Sequence, residues 1–428
     1  MAELNGTAIK ASDPVTIDEI AISPNDSQQL PALARNVGLL STAYLSGEAS
    51  ARLQLLEATE SLLAALETPR ETILRYCWRN ATFAMIETAV DLGIFRLLSE
   101  SDRPKSVVEL STATGADLQL LQRIMKHLAA VGVVAETGLD QYARNGVSQT
   151  LSCTKYSDAI RTITGTTHRV ILATPQFLQQ TDYRNPSDGL HSPFQLGFGT
   201  KASFFEFLAQ DPVVGAQFNN LMSVYHQGRA SWMDPGFYPV QRLLEGVQVG
   251  TDDVLLVDVG GGKGHDLQEF RTKGPRVPGR LILQDQPAVI AEATGLHASI
   301  ETMAHDFFGE QPIKGARAYF LHSVLHDWSE DVCLKILARL KAVMTPGYSR
   351  LLINENVVAD TGAHWQATAL DFIMLSDLAG AERTESQWRG LLEAAGFTVL
   401  RIWTADKWSE SLIECELVTP ATPREFNL

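Results

Sequence analysis

The sequence predicts an α/β protein: a C-terminal part built on a doubly wound parallel sheet, preceded by helices that run into a winged-helix pattern. Three observations carry this. From Asp253 onward, apolar stretches rich in Val, Leu and Ile alternate with amphipathic helical patterns, the order expected of a parallel sheet covered on both faces. The first of these stretches runs straight into a glycine-rich turn, and 106–151 reads as two short helices followed by a turn-rich hairpin. A chain of 428 residues is also longer than one hydrophobic core usually grows, so more than one folding unit is expected.

Four segments are expected: a polar leader over 1–35, a helical and winged-helix region over 36–155, a helical linker that also lines a pocket over 156–245, and the sheet domain over 246–428. Residues 1–29 hold no apolar run, which excludes the hydrophobic core of a signal peptide. Leu39 to Leu66 places Leu53, Leu56, Leu62, Leu63 and Leu66 at helical intervals, predicting a buried or partner-facing helix. Pro69 interrupts that pattern. Glu71 to Leu98 resumes it around Phe83, Met85, Ile86, Val90, Leu92, Ile94 and Phe95, more apolar surface than a solvated face needs.

Val107 to Thr114 and Leu118 to Val131 are the two short helices, joined at Gly115, and Gly138, Asp140 and Gly146 punctuate the hairpin. The second helix offers only Arg123, Lys126 and His127, whereas a phosphate backbone calls for clustered Lys and Arg. The formal net charge of −15, from 35 Lys and Arg against 50 Asp and Glu, argues the same way, against nucleic acid or an anionic membrane as the main partner. From Tyr156 to Leu244 the helical pattern is interrupted by aromatic residues, of which some are core and some are candidates for a ligand pocket.

Strands are expected at Val254 to Val259, Leu281 to Gln284, Ala318 to Leu321 and Leu351 to Asn354. The first ends in Asp258-Val259-Gly260-Gly261-Gly262-Lys263-Gly264, where glycines let a ligand approach bare backbone. Dinucleotide folds usually show G-x-G-x-x-G; here Gly260, Gly262 and Gly264 alternate behind an acid placed to receive a cationic amino group. Asp285, about twenty residues past the turn, closes the next strand where an acid can accept from ribose hydroxyls. After the third strand, His322-Ser323-Val324-Leu325-His326-Asp327-Trp328 puts His326 near the carboxyl edge of the sheet. His322 and His326 are four apart, but no third ligand lies near in sequence and Cys77, Cys153, Cys333 and Cys415 form no C-x-x-C pair. No metal site and no disulfide framework are therefore expected, and the thiols suit a reducing, cytoplasmic setting.

Asp258 to Gly264, Asp285, His305-Asp306-Phe307-Phe308, His326-Asp327-Trp328, Asn354-Glu355-Asn356 and Gly380-Ala381-Glu382-Arg383-Thr384, in this order, resemble the plant and fungal small-molecule O-methyltransferases related to caffeic acid O-methyltransferase. The resemblance implies a seven-stranded, Rossmann-like class I domain that binds S-adenosylmethionine (SAM), its last strand antiparallel, behind a winged-helix region that forms a homodimer. Ala395 to Val399 and Leu412 to Val418 read as the last two strands. The resemblance also implies that Gly260, Asp285, Asp306 and Phe307 hold SAM, with Asp258 and Gly262 from the same turn, and that His326 is the general base. Asp327 is its neighbouring acid, and Glu355 and Glu382 orient the imidazole. His322 stands where the family has a lysine near the cofactor, and the loop Asp377 to Glu382 is one residue shorter than in plant members.

Elementary chemistry supports that assignment. A phenol has a pKa of about 10 and an imidazole about 6.5, so a histidine backed by carboxylates can take the proton as methyl transfer develops. His168, Phe177, Met222, Tyr225, Met374 and Asp377 are candidates to line the acceptor pocket; Met374 matches a family position that packs on the acceptor ring. The leader and the His326-Asp327-Trp328 context resemble fungal members, implying a phenolic or enolic secondary metabolite. The rival expectation is a SAM-binding cyclase or pericyclase of the same fold that transfers no methyl group, in which the base is expected to be lost.

Overall fold

The computed structural model describes residues 16–246, 248–250 and 252–418. The chain divides into two compact units, Met1–Cys153 and Thr154–Leu428, so the residues expected to link the two regions belong with the sheet. Residues 1–15 of the expected leader lie outside the described residues, and its remainder holds the helix Ile17–Ala21 and the start of the helix Leu30–Leu45.

In the first unit the leucine-rich stretch is two helices, Leu30–Leu45 and Ala51–Leu66, where the spacing predicted one. The break falls at Ser46, Gly47 and Glu48, with Gly47 in the left-handed region at φ 87°, a conformation glycine adopts without penalty. Pro69–Trp78 follows with a capping box in which Thr68 and Glu71 satisfy each other's backbone N–H. Asn80–Asp91 and Ile94–Ser99 complete the second helical run. Val107–Thr114 and Leu118–Ala130 follow as expected. Strands β1 (Lys105–Ser106), β2 (Ala135–Gly138) and β3 (Gln141–Ala143) form the wing in the order β1-β3-β2. Ile94, Phe95, Leu110, Leu121, Met125 and Leu128 are its buried core, while Leu39, Leu45, Leu66, Ile73, Tyr76 and Trp78 stay exposed. On the second wing helix, His127 pairs with Thr82 at 3.1 Å and Lys126 lies 3.9 Å from Asp140, while Arg123 is exposed.

The second unit is built on seven strands. They are β4 (Val254–Val259), β5 (Arg280–Asp285), β6 (Ile300–Ala304), β7 (Ala318–His322), β8 (Arg350–Glu355), β11 (Phe397–Trp403) and β12 (Ser411–Leu417). Between β8 and β11, the short β9 (Val357–Val358) and β10 (Arg383–Thr384) pair in parallel apart from the main sheet. The main order is β11-β12-β8-β7-β4-β5-β6, parallel except for β12, which runs antiparallel to both neighbours. Side chains alternate across the sheet as the two-residue period requires. Val257, Tyr319, Leu321, Ile353 and Ile413 pack on one side with Trp388, Leu391, Ile336 and Leu337 of the helices Glu385–Ala395 and Glu330–Lys341. Leu256, Phe320, Leu352 and Leu412 pack on the other with Leu267 and Phe270 of His265–Lys273.

This topology locates the site. The chain leaves β4 toward β5 and β6, then crosses back to β7 on the other flank of β4. Order therefore reverses between β4 and β7, and the crevice outside their carboxyl ends is where ligands bind in open α/β sheets. Asp258 to Gly264 and His322 to His326 leave the sheet at that crevice.

Candidate active site

The glycine turn is shaped by close approach. Gly260 has φ 77°, and a Cβ built there would stand 3.0 Å from Val324 Cγ2 and 3.6 Å from Phe307 Cε1, so a side chain would be strained and crowded. Gly262, at φ 59°, would meet nothing within 4 Å, leaving open space over the backbone. Gly262 N donates to Asp285 Oδ2 at 2.8 Å, and Gln286 N donates to Oδ1 at 2.7 Å. These two bonds fix the carboxylate beside the turn while each oxygen keeps capacity to accept a hydroxyl. Asp306 is exposed, its Oδ1 accepting from Phe308 N at 3.0 Å. Phe307 packs against Phe308 and edge-on to Trp328.

Asp258 is fully buried and neither carboxylate oxygen has a hydrogen-bond partner. Burial first, then the nearby Asp266, pushes its pKa well above the ordinary value. A buried acceptor with nothing to accept from is costly, and a cationic group in the glycine-lined space beside it would relieve that cost. The pair of features, open backbone and orphaned acid, fits a ligand with an ammonium group and a ribose.

His322 sits between two acids, Nδ1 at 2.8 Å from Asp266 Oδ2 and Nε2 at 2.7 Å from Glu410 Oε2. Burial would depress its pKa, but these two carboxylates outweigh burial and hold it well above the ordinary value. Each ring nitrogen thus faces a carboxylate, and the imidazole stands as counter-ion to the two acids.

Past β7, Ser323 turns the chain at φ 50°, a conformation rare for a residue with a side chain. Three further residues bring His326 back to the crevice. Its turn is held from several directions: Glu355 Oε1 accepts from Val324 N at 3.0 Å and Leu325 N at 2.8 Å. Arg383 donates to Leu325 O at 2.9 Å and Trp328 O at 2.8 Å. Gly380 passes so close that a Cβ built there would lie 2.1 Å from His326 O. That contact explains a glycine at this position, and Ala381 N donates to the same carbonyl at 2.9 Å.

The imidazole of His326 is buried with three acids around it. Nδ1 lies 2.7 Å from Glu382 Oε1 and 3.7 Å from Glu355 Oε2, and Nε2 lies 3.4 Å from Asp327 Oδ1. Burial favours the neutral ring, but Glu355, Asp327 and Glu382 together outweigh it and raise the pKa well above 6.5. Burial in turn pushes Asp327 to about 6 and Glu355 to about 7, so the cluster shares its protons and titrates as a unit. Glu382 fixes Nδ1 as the protonated nitrogen, which leaves Nε2 to accept a proton. Glu382 is itself held by its N–H, which donates to Asp371 Oδ1 at 2.9 Å. The four residues expected to carry the chemistry thus stand together, including Glu382 on its shortened loop.

The expected acceptor-pocket residues are less uniform. Met374 and Asp377 share the helix Trp365–Leu378. Asp377 is buried, accepts from Thr167 Oγ1 at 2.9 Å, and burial raises its pKa to about 7. Tyr225 is partly buried under the Arg229 guanidinium, and burial raises its phenol to about 12. Met222, on the same helix Pro212–Tyr225, is exposed. His168 opens the helix His168–Gln180. Phe177 lies on that helix, buried with its ring 5.4 Å from His191, a packing contact that needs no ligand. Sequence reasoning missed Asp266, Glu410 and Asp371. Asp266 could have been suspected as an acid opening the helix after the glycine turn, but Glu410, 88 residues from His322, left no sequence signal.

A nucleoside-binding crevice at the β4–β7 switch point, with a carboxylate-backed histidine at its rim, defines a group-transfer enzyme of the Rossmann-like class. Residues 183–398 match the O-methyltransferase domain and residues 74–154 the O-methyltransferase dimerisation domain. The methyltransferase cfoC of Aspergillus candidus is 39% identical over 368 residues, 85% of this chain and 90% of that protein. Demethylsterigmatocystin 6-O-methyltransferase of Aspergillus flavus is 35% identical over 343 residues, 80% of this chain and 87% of that one. Among solved structures, LepI in complex with SAM aligns at a TM-score of 0.83 and 30% identity, covering 91% of this chain and 99% of that one. The chain belongs to the O-methyltransferase family. It is a SAM-dependent O-methyltransferase with an N-terminal dimerisation domain, and no helix among the described residues is long and apolar enough to cross a membrane.

Proposed function

We propose that the protein methylates a phenolic or enolic hydroxyl of a small secondary metabolite, with His326 as general base. The observation that carries this is the imidazole after β7, its Nδ1 held 2.7 Å from Glu382 Oε1 and its Nε2, 3.4 Å from Asp327 Oδ1, the nitrogen assigned to take the substrate proton. When bound, SAM supplies a sulfonium-activated methyl group, which needs no further activation by the protein. The chain's own task is to align and to manage charge. Asp258, Gly260 and Gly262 form the bed for the amino-acid end, Asp285 is placed to accept from ribose hydroxyls, and Phe307 with Asp306 flanks the adenine side. His322 sets the charge of that bed through Asp266 and Glu410. On the acceptor side His326 Nε2 takes the hydroxyl proton as the oxygen becomes nucleophilic, and Glu382, Glu355 and Asp327 stabilise the imidazolium so formed.

Met374, Asp377, Tyr225, Met222 and His168 are assigned to the acceptor pocket, with Phe177 behind them as packing. The fungal relatives, one of them named for a demethylsterigmatocystin substrate, support a secondary-metabolite acceptor. The dimerisation domain supports a homodimer through the exposed apolar helices of the first unit. Nucleic acid is not assigned as a partner, given the net charge of −15 and the few basic groups on the second wing helix.

A second reading has a specific observation behind it, because a solved structure described as a pericyclic reaction enzyme aligns at a TM-score of 0.83. The intact His326 cluster favours transfer. Incubation with methyl-labelled SAM and a panel of phenols and enols tests both readings. Labelled product and S-adenosylhomocysteine formed in equal amounts are expected. An isomerised product of unchanged mass, with no S-adenosylhomocysteine, would establish the second reading.

A further inference from the structure

A second group of ionisable side chains converges in this unit, apart from the His326 cluster. His226, directly after the helix Pro212–Tyr225, brings Nδ1 to 3.5 Å from Glu410 Oε2, the oxygen that already lies 2.7 Å from His322 Nε2. The two imidazoles are 4.4 Å apart between ring centroids. One donor atom from each of His226, His322 and Glu410 lies within 4.8 Å of the others. No part of the methyl-transfer scheme uses His226.

We propose that His226, His322 and Glu410 form a binding site for one divalent transition-metal ion of the zinc type, clamping the end of the helix Pro212–Tyr225 to β7 and to the start of β12. Two imidazoles and a carboxylate are a donor set that suits zinc, cobalt or nickel. Metal–donor bonds of about 2.0–2.2 Å in tetrahedral geometry need donors roughly 3.4 Å apart; Glu410 Oε2 lies 3.5 Å from His226 Nδ1 and 2.7 Å from His322 Nε2, and all three donors fall within 4.8 Å of one another. The surroundings are those of a supported metal ligand set. Asp266 holds the second nitrogen of His322, the carboxylate–histidine–metal arrangement that fixes the ring. Asn354 Nδ2 donates to Glu410 Oε2 at 2.7 Å and Ser323 Oγ to Oε1 at 3.3 Å.

Binding forms two metal–nitrogen bonds and one metal–oxygen bond and releases the Nε2 proton of His322 to solvent, with no change of oxidation state.

The test is titration of the full chain, freed of metal by chelation, with Co2+ alone, read by its ligand-field absorption and by the thermal midpoint. One ion per chain is expected, displaced by Zn2+ and raising the midpoint, because an ion held only by the folded state stabilises it. His226→Ala should lower the affinity by about 10²-fold or more, and Asp266→Asn by about 10–100-fold as a supporting residue. His326→Ala should leave it unchanged. Glu410→Gln removes a partner of His322 and could fail to fold; His226→Ala leaves the His322–Glu410 pair in place and keeps the question open to a clear answer. Absence of saturable cobalt binding, binding that survives His226→Ala, or binding lost in His326→Ala would overturn the proposal.

Discussion

At the scale of single residues, the proton affinity of His326 governs the rate. The base must be unprotonated to act, and its pKa lies above 6.5 because three carboxylates outweigh burial. Activity should therefore rise with pH through that raised value, as an apparent pKa of the whole cluster. In Glu382→Gln one of the raising charges is gone, so the acidic limb should move to lower pH while the plateau falls by about 10²-fold. Initial rates across pH check both; an unmoved limb would separate Glu382 from the base. Gly380→Ala places a methyl group where only 2.1 Å separates it from His326 O. Loss of activity with destabilisation of about 1–3 kcal/mol is expected in chemical denaturation, and an unaltered variant would mean that this loop yields.

At the scale of elements, the sheet was the most readable part of the chain. Strands buried on both faces appear as short apolar runs, and β4, β5, β7 and β8 fall within a residue of where those runs place them. β6 was not legible because only Ile300 of its five residues is buried; an edge strand carries no apolar run to read. The leucine-rich stretch misled for the opposite reason. Its helical spacing continues on both sides of Ser46 to Ser50, and a turn there changes direction without changing composition. The His326 cluster was legible through motifs, each a few residues long, whereas the His322–Glu410 pair joins distant segments of the chain and needed the folded sheet. Trp388, buried against the sheet with Nε1 donating to Asn356 O at 3.0 Å, anchors the helix Glu385–Ala395. Trp388→Ala should cost about 3–5 kcal/mol by denaturant titration, and a loss below 1 kcal/mol would mean that the helix is held otherwise. Asp285, at the end of β5, should matter to binding instead. Asp285→Ala is expected to weaken SAM about tenfold or more, the worth of a hydrogen bond to a charged group, in calorimetry.

At the scale of the whole molecule, buried ion pairs tie stability to pH. Burial would raise Glu410, but His322 outweighs it and brings the carboxyl to about 2. A depressed acid contributes stability that is present above its unfolded value and lost as pH falls through the folded one. The thermal midpoint should therefore drop between about pH 4.5 and pH 2, and His322→Ala should flatten that drop. The raised His322 works with the opposite sign: its contribution is complete below about 6.5 and fades as pH climbs through its folded value. Association follows from the first unit, whose helices leave Leu39, Leu45, Leu66 and Trp78 exposed. Twice the chain mass in light scattering is expected, and a monomer at micromolar concentration would leave that apolar face unexplained.

The most direct measurement compares His326→Ala with the parent protein in two assays on one preparation. Methyl transfer from labelled SAM to an accepted phenol should fall by about 10²–10⁴-fold, the range a positioned base contributes, while calorimetric affinity for SAM stays within about threefold, well under 1.4 kcal/mol. Transfer at the parent rate would contradict the account, because it would mean that the imidazole at the β4–β7 crevice is not what takes the proton.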